Sequence, residues 1–127
     1  MEKDFDNWNK RKKEINIGEP NFYKKREIRW CFLGINIGFE QDGTNIEYCR
    51  PVLIIRGFSR NVCLIVPLTT SKKKNIYHFS IGIIEGKEAF VILSQIRLID
   101  TKRLQDRLAV LDKGKFEETR KVIRSLI

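Results

Sequence analysis

"RPVLIIRGFSRNVCLIVPLTT", running from Arg50 to Thr70, decides the fold. Two aliphatic runs rich in β-branched residues flank a short polar connection, and that composition predicts strands near 51–57 and 62–69. Outward from this pair, further short runs of β-branched and aromatic residues predict strands near 27–33, 76–82 and 88–94, with a shorter one near 96–100. Their close spacing and short or polar connections imply an antiparallel meander curled into a small barrel.

Helices are expected at both ends. Phe116, Val122, Ile123, Leu126 and Ile127 gather on one face of a helix from about Lys115 to Ile127, which should pack on the barrel. Residues 2–16 also read as helical, with Asp4 as N-cap and Phe5, Trp8 and Ile15 near one face. Gly18 and Pro20 in "NIGEPNFYKK" break that pattern and make a linker. The expected organisation is therefore an N-terminal helical extension and linker at 1–25 and a barrel domain at 26–127. The fold class is mainly β with helices.

The 127 residues suffice for one domain with a real core and no disulfide or metal staple. Hydrophobic residues make up 42% and charged residues 32%, a globular profile. No apolar run approaches the roughly 20 residues of a bilayer span, and "MEKDFDNWNKRKK" is too polar for a secretion signal, so a cytoplasmic protein is expected. Cys31, Cys49 and Cys63 are irregularly spaced, which fits small buried hydrophobes better than a disulfide framework or a metal knuckle. His78 is the only histidine. That removes histidine-rich zinc sites, two-histidine nucleases and most Ser-His-Asp schemes. His78 itself reads as an ordinary half-exposed strand residue.

Twenty-five lysines and arginines face 16 acids, for a net charge of +9, the electrostatic footprint of a protein that meets a polyanion. The first 30 residues hold nine basic and six acidic groups, so most of the excess belongs to the remaining chain. Lys72, Lys73 and Lys74 form the densest run, read equally well as a solvated loop tip or a phosphate contact.

Three polar clusters interrupt the apolar strands. Arg50 precedes Pro51, and a proline is tolerated at a strand's first position, so Arg50 should sit at the strand mouth with its guanidinium fork turned to solvent. Its plain alternative is an ion pair with Glu40 or Glu47 that holds the loop. Thr69, Thr70 and Ser71 offer three hydroxyls next to three lysines, a phosphate cradle or ordinary strand-end threonines. Ser94, Gln95 and Arg97 interrupt the run "VILSQIRLID"; the glutamine could order a loop or read a base edge.

Taken in order, "REIRWCFLGINIGFEQDG", "RPVLIIRGF", "LIVPLTTSKKK" and "AFVILSQIRLIDTKRL" closely resemble the MazF/PemK family of type II toxin-antitoxin toxins, from about Arg26 to the C-terminus. The elements G-x-E-Q-x-G, R-P-[VA]-[LV]-[VI], [IV]-P-x-T and [DS]-Q-[IV]-[RK] appear at compatible spacing. The resemblance implies an SH3-like barrel, usually a homodimer, that cleaves single-stranded RNA sequence-specifically without a metal ion or other cofactor and so arrests growth. It makes Arg50 and Thr69 the catalytic pair and sets Glu40, Gln41 and Gly43 on a mobile loop that shapes the substrate groove. Ser94 and Gln95 match the Ser/Asp-Gln element, and Thr70, Ser71, Lys72 and Arg97 complete the expected substrate-binding set. An antitoxin with an acidic or amphipathic segment is the implied partner, and operator DNA would be reached through the antitoxin complex; no membrane is involved.

The sequence departs from the family in two places. Eight residues separate Gln41 from Arg50, longer than in compact members, and residues 1–25 have no counterpart in the shortest ones. The competing expectation is a non-catalytic toxin of the same fold, similar to CcdB, that binds DNA gyrase or nucleic acid. A protein-binding surface has no need of an arginine paired with a threonine, which argues against it.

Overall fold

The computed structural model of the chain describes residues 22–33, 49–71 and 76–127. Among these residues seven strands form one curled antiparallel sheet: β1 (Glu27–Phe32), β2 (Cys49–Gly57), β3 (Val62–Thr69), β4 (His78–Ile84), β5 (Lys87–Ile92), β6 (Arg97–Asp100) and β7 (Leu104–Val110). A terminal helix, α1 (Lys113–Ser125), follows. The expected N-terminal helix at 2–16 lies outside the described residues.

The sheet is less simple than a meander. Its order is β4-β5-β3-β2-β1-β7, with β6 pairing β3 off this path. β3 changes partner along its length: Val62 to Ile65 pair with β6, while Leu68 and Thr69 pair with Val91 and Phe90 of β5. One strand shared by two neighbours turns the sheet through a corner and gives the half-barrel its curl.

β2 and β3 lie at the centre and are buried on both faces, which is why their sequences run continuously apolar instead of alternating. Leu53, Ile55, Val66 and Leu68 point into one cluster, closed by Phe116 of α1. Val52, Ile54, Cys63 and Ile65 point into a second cluster on the opposite face. All three cysteines are buried free thiols. Burial pushes the Cys63 thiol up to about 11 and the Cys31 thiol further up.

Two connections carry the fold's local chemistry. In the β2–β3 turn Ser59 Oγ accepts from the amides of Asn61 (3.1 Å) and Val62 (3.2 Å), and the Ser59 carbonyl accepts from Tyr23 Oη. The Tyr23 ring lies so close over Gly57 that an added Cβ would stand 2.5 Å from Tyr23 Oη. At the β6–β7 corner Thr101, fully buried, donates from Oγ1 to the Arg60 carbonyl at 2.6 Å and so ties that corner to the same turn.

β7 was not among the expected strands. Its sequence, LQDRLAV, holds Gln105, Asp106 and Arg107 because it is an edge strand beside β1 with irregular register, and only Leu104 is fully buried. Glu27, buried on β1, holds this edge: it accepts from Arg29 at 3.3 Å and faces Arg107 at 3.6 Å. The helix begins at Lys113, two residues before the expected start, because Asp112 caps it by accepting from the Lys115 amide at 3.2 Å. Its periodic apolar residues gave no sign of that first turn.

Candidate active site

Arg50 is the second residue of β2, paired with Cys31 of β1, and it is only 7% exposed. This corrects the expectation of a strand mouth: the strand starts at Cys49, and Pro51 is its third residue, opposite Trp30. The arginine is therefore part of the sheet and not of the preceding loop. Its Nε donates to the Leu68 carbonyl on β3 at 3.2 Å. That bond fixes the plane of the guanidinium, whose two Nη groups carry the other donors.

Val52 pairs with Pro67, so the same register carried two residues further sets Arg50 beside Thr69 at the end of β3. Thr69 is 9% exposed, and its Oγ1 accepts from the Ser71 amide at 3.1 Å. A hydroxyl that accepts from a backbone amide keeps its own proton to donate. The two side chains thus offer a rigid cation and a rigid hydroxyl donor from adjacent strands.

Both line one cleft of about 580 Å³. Thr70 and Ser71, both exposed, continue the polar wall. Trp30, Pro51 and Leu108 supply an apolar wall against which a flat ring can lie. The opposite lip is the β4–β5 hairpin, which brings Glu85 and Lys87. Glu85 (φ 51°) and Gly86 (φ 79°) are both left-handed, as a two-residue type I′ turn requires. Among the described residues that line the cleft, Glu85 is the sole carboxylate and Arg50 and Lys87 are the two cations.

Four site residues named from the sequence, Arg50, Thr69, Thr70 and Ser71, thus meet in one place. Ser94 and Gln95 fall in a 3-10 turn (Leu93–Gln95) after β5, and Arg97 opens β6 opposite Ile65; none of the three lines this cleft. Glu40, Gln41, Gly43 and Lys72 lie outside the described residues. Trp30, Glu85 and Lys87 were not singled out from the sequence. The Glu-Gly pair between two apolar runs was a legible turn signal for the hairpin, but nothing local showed which residues it would face. His78 is half-buried on β4, and its Nδ1 is buried with no hydrogen-bond partner among the described residues. Those residues form no cluster of three or more His, Cys, Asp or Glu able to hold a metal ion.

The family model of the PemK-like, MazF-like toxin of type II toxin-antitoxin systems matches residues 24–127. No curated protein matches the sequence significantly. Among solved structures, MazF (Form-I) from Deinococcus radiodurans superposes with a TM-score of 0.65 at 20% identity, covering 82% of this chain and 94% of that one. An endoribonuclease from Mycobacterial species gives 0.61 at 15% identity over 85% and 93%. Another, solved in complex with its cognate antitoxin, gives 0.59 at 15% over 82% and 93%. At such identities the structures establish a shared MazF-like fold, while the family model covers most of the sequence. The chain belongs to the PemK-like, MazF-like toxins of type II toxin-antitoxin systems.

Proposed function

We propose that this toxin is a sequence-specific endoribonuclease that cleaves single-stranded RNA, messages above all, with Arg50 and Thr69 as its catalytic pair. The observation that carries the reading is the shared cleft: a buried arginine and a buried threonine, each locked by a backbone hydrogen bond, on adjacent strands.

RNA supplies its own nucleophile. The 2′-hydroxyl attacks the neighbouring phosphorus, loses its proton, and expels the 5′ oxygen, which gains one; the products are a 2′,3′-cyclic phosphate and a 5′-hydroxyl. The protein's tasks are to align the two oxygens and to stabilise the charge that grows on the phosphoryl oxygens. Arg50 does the second as a fixed fork of donors, since guanidinium is too weak an acid to serve as a base at neutral pH. Thr69 donates to a non-bridging oxygen and orients the phosphate. Trp30 and Pro51 give the adjoining base a surface to stack on, and Lys87 faces the strand's next phosphate. No side chain here is assigned as a base, which accords with a modest rate.

Thr70, Ser71 and Lys72 extend the phosphate contacts in this reading, and Glu40, Gln41 and Gly43, with Ser94, Gln95 and Arg97, select the bases. The protein acts in the cytoplasm as a homodimer, for which Val62 and Leu98, exposed on the paired strands β3 and β6, offer apolar surface. A cognate antitoxin covers the basic cleft with an acidic segment, and the complex reaches operator DNA. The solved endoribonuclease with its cognate antitoxin supports the pairing by likeness. The test is incubation of the purified toxin with single-stranded transcripts in excess chelator, with sequencing of the ends. Cyclic-phosphate termini that vanish with Arg50→Ala support the reading; intact RNA together with gyrase-dependent DNA breaks would replace it.

A further inference from the structure

A second cleft, of about 550 Å³, opens at the far end of β2. Lys24 and Lys25 line it from the segment before β1, Arg56 from β2 and Arg120 from α1, together with the rings of Tyr23 and Phe58. Among the described residues no carboxylate lines it. Arg120 shares a loose contact with Glu117 at 3.7 Å, but among the described residues neither lysine nor Arg56 pairs with an acid. Glu27, the nearest acid in sequence, is engaged elsewhere: it accepts from the Lys24 amide, Arg29 and Arg107.

Three cations with no acid partner among the described residues, beside an Arg120 only loosely paired with Glu117, repel one another and gain by taking up an anion. The aromatic lining narrows the anion's class. Phe58 is 54% exposed with the Arg56 guanidinium 5.1 Å over its ring, and Tyr23 is held against the turn through Ser59. Cations that track a backbone, interleaved with rings that stack bases, make up the recurrent surface for single-stranded nucleic acid. Gly57 lies seven residue steps along β2 from Arg50. At about 3.3 Å per residue that is roughly 23 Å, a span of several nucleotides of a single strand.

We propose that this cleft is a second anchor for the phosphate backbone of the RNA substrate, gripping the strand several nucleotides away from the bond cut at Arg50. The identity of the polymer rests on the endoribonuclease reading. The anchor raises affinity for long RNA and leaves the chemical step untouched, so it favours long messages over short fragments.

The test uses the full chain and Lys25→Glu combined with Arg56→Glu. Both side chains are exposed, so an unchanged thermal unfolding curve is expected and is checked first. Binding is read by fluorescence anisotropy with mixed-sequence 2′-O-methyl RNA, which lacks the nucleophile and cannot be cut. One probe has about 20 nucleotides, beyond the ~4–16 of a single-domain footprint, and the other about 6. The double variant should bind the long probe at least ~10-fold more weakly, with a salt slope reduced by about one to two, and the short probe as the wild type does. Equal affinity and equal salt slope on the long probe overturn the proposal. So does a variant that loses affinity only for an acidic peptide, which assigns the cleft to an antitoxin. A wild type that cuts no RNA yet binds the long probe through Lys25 and Arg56 defeats the nuclease reading and leaves the anchor standing.

Discussion

Arg50 Nε donates to the carbonyl of Leu68 at 3.2 Å, from β2 across to β3, and this bond helps hold a buried cation at the wall of a cleft. A charge that is 7% exposed needs such partners, since burying it unpaired would cost several kcal/mol. The same constraint makes it an efficient electrostatic catalyst, because nothing has to reorganise when negative charge develops beside it.

Arg50→Ala should lower the cleavage rate by about 10²–10³-fold, the usual loss for one transition-state donor. Arg50→Lys should recover little of it, because an ammonium cannot hold the Leu68 carbonyl and present a fork together. Single-turnover cleavage of a defined transcript measures both, with circular dichroism as the folding control. A lysine variant that cuts like the wild type would show that charge alone suffices.

Thr69 serves the site and its own turn, and two substitutions separate the roles. Thr69→Ser keeps the hydroxyl and should retain most activity. Thr69→Ala removes the acceptor of the Ser71 amide and the donor to phosphate, so the rate should fall about 10–100-fold, the worth of a hydrogen bond to a charged group. Equal rates for the two variants would remove Thr69 from the chemistry.

Gly57→Ala should destabilise the fold by about 1–3 kcal/mol, since the new Cβ meets the Tyr23 ring and drives its hydroxyl off the Ser59 carbonyl. The same change in a Tyr23→Ala background should cost clearly less, a coupling that urea unfolding of the four-member cycle measures. Additive effects would mean that the close approach does not matter.

Glu85 carries a side chain at φ 51°, where glycine or asparagine is more at ease. Glu85→Asn should leave stability equal or raise it by up to about 1 kcal/mol, whereas Gly86→Val, at φ 79°, should lower it by more than that. Thermal unfolding decides. Glu85→Asn also removes the cleft's carboxylate, and weaker repulsion of phosphate should appear as a lower KM for RNA.

The buried thiols set an alkaline limit. Burial raises the Cys63 pKa to about 11 and the Cys31 pKa further, so the folded state keeps protons that the unfolded chain releases above its ordinary thiol pKa near 9. Their contribution is fully present below about pH 8 and is lost as the pH rises from about 9 towards 11. Urea unfolding across that range should show the decline, and Cys63→Ala should flatten it. Below pH 9 none of the buried thiols should react with alkylating agents until the chain unfolds.

Much of this protein was written locally. The continuous aliphatic runs of "RPVLIIRGFSRNVCLIVPLTT" announced two strands, which the fold buries on both faces, and side-chain type at each position suffices for the strands because burial is a demand on every residue in turn. The ordered motifs pointed to the family and singled out Arg50 and Thr69. Other features depend on who stands opposite. β7 is a strand only because β1 offers it an edge, and its polar residues carry no strand signal of their own. The partner change along β3, which curls the sheet, is a matter of which hairpin returns to which half-strand. Arg50 likewise could be a loop-holding ion pair or a catalyst on sequence grounds, and its bond to Leu68, the facing hairpin of Glu85 and Lys87, and the apolar wall of Trp30 come from strands far apart in the chain. Local chemistry determined which groups could act; long-range pairing decided which of them share a cleft, because register is set by the packing of both sheet faces at once.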